Sequence, residues 1–237
     1  MEKFLEEYNK LTGLQLTPEQ GRAFQFYEDE LMVWNDKFNL TAIRDREEIR
    51  TKHFLDSLTC LPALGDVRGK LLIDIGTGAG FPGLPIKIAE PGVELMLVDS
   101  VGKKLAFCEN LIQILALKNV GCIQSRAEDL GQALAHREKY DRAVARAVAG
   151  LPVLLEYLLP LLKVGGLAVI QKGSNAPDEV NAAQKAANIL GGSIEAVTPV
   201  KLPGLAESRY LVTIGKTRQT PGEYPRRAGT PSKKPIV

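Results

Sequence analysis

The first part of the chain carries apolar residues at the spacing of an amphipathic helix. They recur every three or four residues from Phe24 to Trp34, a period that predicts a helix. The preceding Thr17-Pro18-Glu19-Gln20 supplies an N-cap, a proline at the first helical position and a capping-box glutamine. A further helix is predicted over about 47–61. We therefore expect residues 1–65 to form an N-terminal helical cap.

From Lys70 the pattern changes to short apolar runs that alternate with amphipathic segments. Such alternation is typical of βαβ units around a parallel sheet. The last two runs are separated by about nine residues, too few for a helical crossover, so they are predicted to pair antiparallel. The predicted strands are 71–75, 94–98, 121–124, 142–145, 167–171, 193–200 and 210–216.

Charge is unevenly distributed along the 237 residues. The chain has 30 Lys and Arg against 28 Asp and Glu, a net charge of +2. Residues 218–237 hold five of the cations and one acid, among several prolines and glycines. This composition predicts an extended tail that leaves its charge in solvent. RNA phosphates are the functional interpretation of the tail, and simple solvation is the alternative.

Cysteine and histidine usage narrows the class of protein. Three widely separated cysteines in apolar sequence favour reduced thiols in a cytoplasmic protein over disulfides. With only two histidines and no clustered cysteines, no metal site is predicted. The start MEKFLEEYNK lacks the apolar core of a signal peptide, and no run is long enough to span a membrane. We expect a cytoplasmic protein without a membrane partner.

A glycine-rich turn follows the first predicted strand in LLIDIGTGAGFPGLPIKIA. Gly78, Gly80 and Gly83 fit the G-x-G-x-x-G of dinucleotide-binding folds. The same turn, read from Asp74 through Gly76 to Gly80, fits D-x-G-x-G-x-G. This second pattern resembles motif I of S-adenosylmethionine-dependent methyltransferases. Both families place an acid that binds sugar hydroxyls where Asp99 ends the second strand.

Three features favour a methyl donor over a nicotinamide. Asp74 lies on the strand just ahead of the glycines, where methyltransferases often place an acid near the amino-acid end of the donor. Arg126-Ala127-Glu128 resembles the loop that holds adenine. Leu162-Lys163-Val164-Gly165-Gly166 precedes a strand and is followed by the hairpin, as in seven-stranded methyltransferases. The alternative explanation for the glycines of the turn is that they allow tight packing of the helix on the strand and bind no ligand.

The chain lacks two devices that other base methyltransferases use. Methylation of a base carbon usually needs a cysteine, often after proline, and no cysteine here follows proline. Methylation of an exocyclic amine often uses D/N-P-P-Y/F after the fourth strand, where this chain reads Ala145-Arg146-Ala147. Guanine N7 is an unprotonated lone pair and needs neither device. Alignment alone can lower such a barrier by about 7–11 kcal/mol, so no catalytic base or nucleophile is predicted.

Several segments together resemble the glucose-inhibited division protein B family, bacterial 16S ribosomal RNA guanine-N7 methyltransferases. They are NLTAIRD, HFLDSL, DIGTGAGFPGLP, VDSVGKKLAFCENL, AEDL, ARAV, QKGS and the terminal YPRRAGTPSKKPI. The resemblance covers nearly the whole chain. It implies an α/β fold, the Rossmann-like seven-stranded S-adenosylmethionine-dependent methyltransferase sheet, with five parallel strands and a C-terminal antiparallel hairpin. The expected division is 1–65 helical cap, 66–217 methyltransferase domain and 218–237 basic tail.

The motifs, the positions of the charges and the resemblance together predict two sets of site residues. The S-adenosyl-L-methionine set is Asp74, Gly76, Gly78, Gly80, Phe81, Asp99, Ser100, Ala127, Glu128 and Arg146. The RNA set is Asn39, His53, Arg146, Lys172, Arg209, Arg226 and Arg227. Two of these have alternative interpretations: Arg146 could pair with a buried Glu128 or Asp99, and His53 could be structural.

The sequence as a whole predicts a monomeric enzyme that methylates 16S ribosomal RNA in the small ribosomal subunit. One rival is an NAD(P)-dependent Rossmann oxidoreductase, which lacks support because no Tyr-x-x-x-Lys pair lies in the expected region. A non-catalytic RNA-binding protein of ribosome assembly is the second rival. The retained glycines and acids of the turn argue against it.

Overall fold

A seven-stranded sheet forms the centre of the computed structural model, which describes residues 1–146 and 148–237. The strand order is β3-β2-β1-β4-β5-β7-β6. Strands β1 to β5 run parallel, and β7 pairs antiparallel with both β5 and β6. The predicted fold class is thus confirmed. The strands are β1 Leu71–Ile75, β2 Glu94–Asp99, β3 Val120–Gln124, β4 Tyr140–Arg146, β5 Leu162–Lys172, β6 Gly192–Val200 and β7 Arg209–Lys216.

The strand order places a crevice at the carboxyl ends of β1 and β4. From β1 the chain continues outward to β2 and β3, then returns to the other side of β1 to form β4. The connections that follow β1 and β4 therefore leave the sheet in opposite directions. In open α/β sheets this reversal is where ligands bind, and the glycine-rich turn lies directly after β1.

Helices precede the sheet and cover both of its faces. The capping box at the start of α2 is confirmed: Gln20 N donates to Thr17 Oγ1 at 3.2 Å, and Thr17 N donates to Gln20 Oε1 at 2.7 Å. The helices are α1 Glu2–Thr12, α2 Pro18–Phe38, α3 Arg46–Glu48, the π-helical Ile49–Leu55, α4 Asp56–Leu58, α5 Cys60–Leu64, α6 Gly83–Ala89, α7 Gly102–Ile114, α8 Ala127–Gln132, α9 Leu151–Leu158, the 3₁₀ turn Leu159–Leu161, α10 Ala176–Leu190 and α11 Thr230–Lys233.

The N-terminal helices pack on one face of the sheet through aromatic side chains. Phe24 and Phe54 lie 5.2 Å apart between ring centroids, and Tyr27 stacks on Phe81 at 5.3 Å. The Tyr27 hydroxyl also donates to Ala79 O at 2.5 Å. Because Ala79 and Phe81 belong to the glycine-rich turn, the helical cap is anchored directly on that turn.

The opposite face of the sheet has its own apolar core, formed with α9 and α10. Leu72 of β1 is buried in the first core and the adjacent Ile73 in the second. Burial of both faces explains the near-continuous apolar runs of the parallel strands. Among the described residues, none of the helices combines the length and apolar character that a membrane span requires.

The C-terminal tail differs from the prediction of an extended, solvated segment. Arg226 forms a bidentate pair with the fully buried Glu156 of α9, with contacts of 2.9 and 2.6 Å. Arg137 donates to the carbonyl oxygens of Thr220 and Tyr224. Residues 230–233 form a short helix, and Ile236 is buried. The prediction that the tail leaves all its charge in solvent is therefore wrong, because a buried acid on α9 attracts one of its arginines.

Candidate active site

The glycine-rich turn is held at both ends by one buried acid. Asp74 Oδ2 accepts from Thr77 Oγ1 at 2.7 Å and from Gly83 N at 2.9 Å. Gly76 N and Thr77 N donate to Val98 O on the neighbouring strand. Burial raises the pKa of Asp74 to about 6, although the Thr77 and Gly83 donors oppose the rise. Asp74 thus lies beneath the turn and fixes its shape.

Two glycines of the turn are required for different reasons. Gly80 has a φ of +91°, and a Cβ there would come within 2.6 Å of the Tyr27 hydroxyl. Gly78 has a φ of +60°, and the nearest atom to a Cβ at this position would be Gly76 O, at 4.0 Å. The Gly78 N–H donates to Asp99 Oδ2 at 3.0 Å. Gly80 therefore makes room for the helical cap, whereas Gly78 is favoured by its left-handed backbone conformation, in which its N–H ties the turn to the end of β2.

A cavity of about 330 Å³ opens beside this turn, and we call it the donor cavity. Five of the ten residues predicted for the methyl donor line it: Gly76, Asp99, Ser100, Ala127 and Glu128. The other five do not line it: Asp74, Gly78, Gly80, Phe81 and Arg146. Val148 and Tyr157 also line the cavity and were missed by the sequence reasoning. Tyr157 and Glu156 are the two polar residues within LPVLLEYLL, a signal that could have identified Tyr157.

Asp99 and Glu128 supply the two carboxylates of the donor cavity. Asp99 accepts from Gly78 N and from Val101 N at 2.9 Å, and Lys104 Nζ lies 3.9 Å away. Glu128 is 4% exposed and accepts from Gly229 N of the tail at 2.8 Å. The carboxylates are thus fixed by the backbone at two separate points of the cavity wall.

These acceptors fit S-adenosyl-L-methionine. A nucleoside offers ribose hydroxyl and adenine amino donors, and the amino-acid end of the molecule carries an ammonium group. Asp99 and Glu128, which line the cavity, are hydrogen-bond acceptors of the kind that such donors require. Beneath the turn and outside the cavity lining, Asp74 Oδ1 is buried and has no hydrogen-bond partner among the described residues. The two carboxylates of the cavity wall therefore suit a nucleoside that bears a cation.

Arg146, at the end of β4, lies in a buried cluster outside the donor cavity. Its Nη1 donates to Asp56 Oδ2 and to Lys52 O, each at 3.1 Å. Its guanidinium lies 4.9 Å from the centroid of the Phe81 ring. The alternative of a pair with Glu128 or Asp99 is wrong, since the partner is Asp56. That residue lies within HFLDSL, where a single acid in an apolar run was the available signal.

His53 completes this cluster as a neutral imidazole. Its ring stacks on Phe81 with centroids 4.5 Å apart. Burial, with the nearby Arg146 charge as the next cause, lowers the pKa of His53 to about 3. Arg146 Nη2 lies 3.1 Å from Nδ1 and can only donate, so Nδ1 accepts and Nε2 donates to Thr41 Oγ1 at 2.8 Å. Such a group is a weak proton acceptor at neutral pH.

A second cavity, of about 250 Å³, lies between β5, β7 and α4, and we call it the rim cavity. Arg146, Lys172 and Arg209 of the predicted RNA set line it, together with Asp56 and Gln171. Lys172 Nζ pairs with Glu179 Oε2 at 2.6 Å and donates to Ala149 O. The structure thus brings three of the predicted cations to one cavity, with two polar residues that sequence reasoning missed.

The remaining residues of the predicted RNA set line neither cavity. Asn39 caps the C-terminus of α2 in the left-handed conformation, with a φ of +50°, and its side chain is exposed. Arg226 pairs with Glu156 of α9, on the face of the sheet opposite the helical cap. Arg227 beside it is exposed. Their assignment to RNA stays a prediction.

The chemistry of the thiols separates this site from cysteine-dependent base methylation. Burial raises the pKa of Cys60 and Cys108 well above the ordinary value, and raises that of Cys122 to about 11. All three are therefore protonated at neutral pH and poor nucleophiles. Among the residues of ranges 1–146 and 148–237, no group of His, Cys, Asp and Glu is arranged to hold a metal ion.

Comparison with known proteins identifies relatives over the full length of the chain. The model of the GidB family, described as rRNA small subunit methyltransferase G, matches residues 20–208. A ribosomal RNA small subunit methyltransferase G from Alkaliphilus oremlandii is 45% identical over 236 residues, which cover 100% of this chain and 99% of that protein. The protein of the same name from Roseiflexus castenholzii is 49% identical over 225 residues, covering 95% of each.

Solved structures with the same fold are methyltransferases of diverse substrates. A 16S rRNA (adenine(1408)-N(1))-methyltransferase from Catenulisporales acidiphilia, solved with SAM, aligns with a TM-score of 0.52 at 18% identity, covering 65% of this chain and 88% of that chain. A precorrin-6y C5,15-methyltransferase from Geobacter metallireducens also aligns with a TM-score of 0.52 at 18% identity, covering 68% and 86%. At this identity the likeness establishes the fold.

Proposed function

We propose, from the premise that this chain belongs to the GidB family of small-subunit ribosomal RNA methyltransferases, that it methylates N7 of one guanine in 16S ribosomal RNA. S-adenosyl-L-methionine is the methyl donor. The observation that carries the proposal is the coincidence of a full-length family match with a cavity that presents two fixed carboxylates beside a glycine-rich turn.

The groups around the turn support direct transfer without a base. Guanine N7 carries no proton, so its lone pair forms the new N–C bond as the bond from the methyl carbon to sulfur breaks. The sulfonium supplies the leaving group, and the product base becomes cationic. A neutral His53 with a pKa of about 3 and three protonated thiols are consistent with chemistry that uses no proton acceptor or nucleophile.

The protein then contributes mainly alignment. Asp99 and Glu128 would orient the nucleoside of the donor, and Gly76 lets the backbone approach it. The guanine has to leave its stack in the RNA, which costs a few kcal/mol unless the loop already presents it. We propose that the enzyme acts as a monomer on the small ribosomal subunit in the cytoplasm.

The test is incorporation of labelled methyl from S-adenosyl-L-methionine into small subunits that lack the modification. We expect one labelled N7-methylguanosine. Glu128→Ala should weaken binding of S-adenosylhomocysteine by about 10-fold or more, because a buried acceptor for the adenine side is lost. Asp129→Ala removes the exposed neighbouring acid and serves as the matched control.

Two results would overturn the proposal. Label on a protein or on another base would reject guanine N7 as the acceptor. Thermal stabilisation by reduced nicotinamide dinucleotide, without stabilisation by S-adenosylhomocysteine, would instead favour the oxidoreductase.

A further inference from the structure

Two buried polar atoms at the rim cavity have no hydrogen-bond partner among the described residues. They are Gln171 Oε1, at the end of β5, and Arg209 Nε, at the start of β7. Gln171 is 6% exposed. An unpaired buried polar group costs free energy, and each such group in a native structure calls for a partner. Both residues line the same cavity, so a single ligand could satisfy both.

The hydrogen-bonding character of the two atoms is fixed by their surroundings. Gln171 Nε2 donates to the carbonyl oxygen of Asp56 at 2.8 Å. A carbonyl oxygen only accepts, so the amide cannot be turned around, and the free atom is the acceptor Oε1. Arg209 is a permanent cation, and its Nε only donates. Its Nη1 lies 3.7 Å from Asp56 Oδ2, which holds the side chain at the cavity.

The cavity adjoins the turn that shapes the donor site. Arg146 lines the rim cavity and also covers the face of Phe81, a residue of the turn. A flat ligand in the rim cavity would therefore lie against the same guanidinium that packs on the turn. The cavity has a volume of about 250 Å³, which is large enough to hold one heterocyclic base.

We infer that the rim cavity is the pocket for the target guanine, with Gln171 and Arg209 as its specificity-determining residues; this inference rests on the proposed function. A guanine that is methylated at N7 must keep that side of the ring free for the methyl donor, so the protein has to bind it by the Watson–Crick edge. This edge offers N1–H and the 2-amino group as donors and O6 as an acceptor. Gln171 Oε1 accepts from N1–H, and Arg209 Nε donates to O6.

The experiment pairs a protein substitution with a substitution in the RNA base. Gln171→Met keeps the side-chain length and removes the acceptor Oε1 together with the Nε2 donor to Asp56 O. The RNA carries either guanosine or 1-deazaguanosine, in which C–H replaces N1–H, at the methylated position. With guanosine, we expect Gln171→Met to lower kcat/KM for the RNA by about 10- to 100-fold. With 1-deazaguanosine, both proteins should be equally slow, because the contact is already missing.

A second pair of substitutions tests the contact of Arg209 with O6, and two controls detect misfolding. Arg209→Lys removes the Nε donor, and 2-aminopurine riboside at the target removes O6 together with the N1 proton. When the protein substitution and the base substitution are combined, the loss in kcat/KM should again be smaller than the sum of the two separate losses in free energy. Gln184→Met, on the exposed face of α10, is the matched control and should retain the wild-type rate. All variants should bind S-adenosylhomocysteine within about 2-fold of wild type.

The outcomes are distinguishable. Additive losses in both pairs, with wild-type binding of S-adenosylhomocysteine, would overturn the pocket assignment while the proposed function stands. Loss of S-adenosylhomocysteine binding in both Gln171→Met and Arg209→Lys would also overturn it, since the residues would then serve the fold or the donor. If the wild-type protein transfers no methyl to guanosine, the proposed function itself fails.

Discussion

The Arg146 guanidinium and the Asp56 carboxylate face each other at 3.1 Å, linking the end of β4 to the helical cap. Their side chains are 14% and 3% exposed. Burial raises the pKa of Asp56, and the attraction of Arg146 opposes that rise. The pair therefore fixes the cap against the edge of the sheet where both cavities open.

Asp56→Asn should destabilise the protein by about 3–5 kcal/mol, because it leaves a buried arginine without its counter-ion. Chemical denaturation followed by circular dichroism measures the change. Asp36→Asn is the matched control: Asp36 pairs with Arg44 at 2.8 Å, but its side chain is 75% exposed. That substitution should lower the free energy of unfolding by less than about 1 kcal/mol. Equal losses from the two variants would contradict a special role for the buried pair.

The ion pair of the tail leads to a second prediction. Among the residues that the structure describes, Arg226→Met leaves the fully buried Glu156 carboxylate with only the backbone N–H of residue 226 as a donor. We expect a loss of about 3 kcal/mol in unfolding free energy. Arg227→Met changes an exposed arginine next to it and should be close to neutral. A wild-type melting temperature for Arg226→Met would indicate that the tail does not stabilise the body.

The fold was predictable because its signals are local. Each strand from β1 to β7 overlaps a predicted strand, and the eight residues between Val200 and Arg209 are too few for a helical crossover, which requires an antiparallel pair. The start of α2 followed from Thr17, Pro18 and Gln20. The glycine turn, Asp99 and Glu128 follow strands in sequence, so their meeting at one sheet edge could also be predicted.

The buried charge pairs were not predictable in the same way. Asp56 and Arg146 are 90 residues apart, and Glu156 and Arg226 are 70 apart. The sequence indicates that the lone acid in HFLDSL or in LLEYLL needs a partner when it is buried. It does not indicate which Lys or Arg, far away in the chain, will pair with that acid. The tail was predicted to be extended, with its charge unpaired, because composition describes average behaviour. One specific pair, Arg226 with Glu156, instead holds it against α9.

The exposed cations of the tail permit a cleaner test of RNA binding than deletion does. Removal of the whole tail would also remove the Arg226 pair and the Gly229 contact to Glu128. We therefore predict that Arg227→Gln, Lys233→Gln and Lys234→Gln together weaken RNA binding. If all three contact phosphates, the slope of log affinity against log salt should fall by about 2. An unchanged slope, with unchanged stability, would assign the tail to the fold alone.

His53 makes stability depend on pH in a direction that can be worked out. Its folded pKa of about 3 lies below the ordinary 6.5, so the unfolded chain takes up a proton first as pH falls. The stabilisation from neutral His53 is present above pH 6.5 and is lost progressively toward pH 3. Between pH 7 and pH 5, protonation of this residue in the unfolded chain should lower the free energy of unfolding by about 2 kcal/mol.

Asp74 opposes this trend, which determines how the experiment must be designed. Its folded pKa of about 6 is raised from 3.8, so protonation near pH 5 favours the folded state. The total stability of the wild type can therefore change little between pH 7 and pH 5. The difference between wild type and His53→Gln cancels the Asp74 contribution, because both proteins retain that acid. We expect His53→Gln to be destabilised at pH 7 and to lose most of that deficit by pH 5. A deficit that is constant across this range in urea denaturation would show that His53 titrates normally in the folded protein.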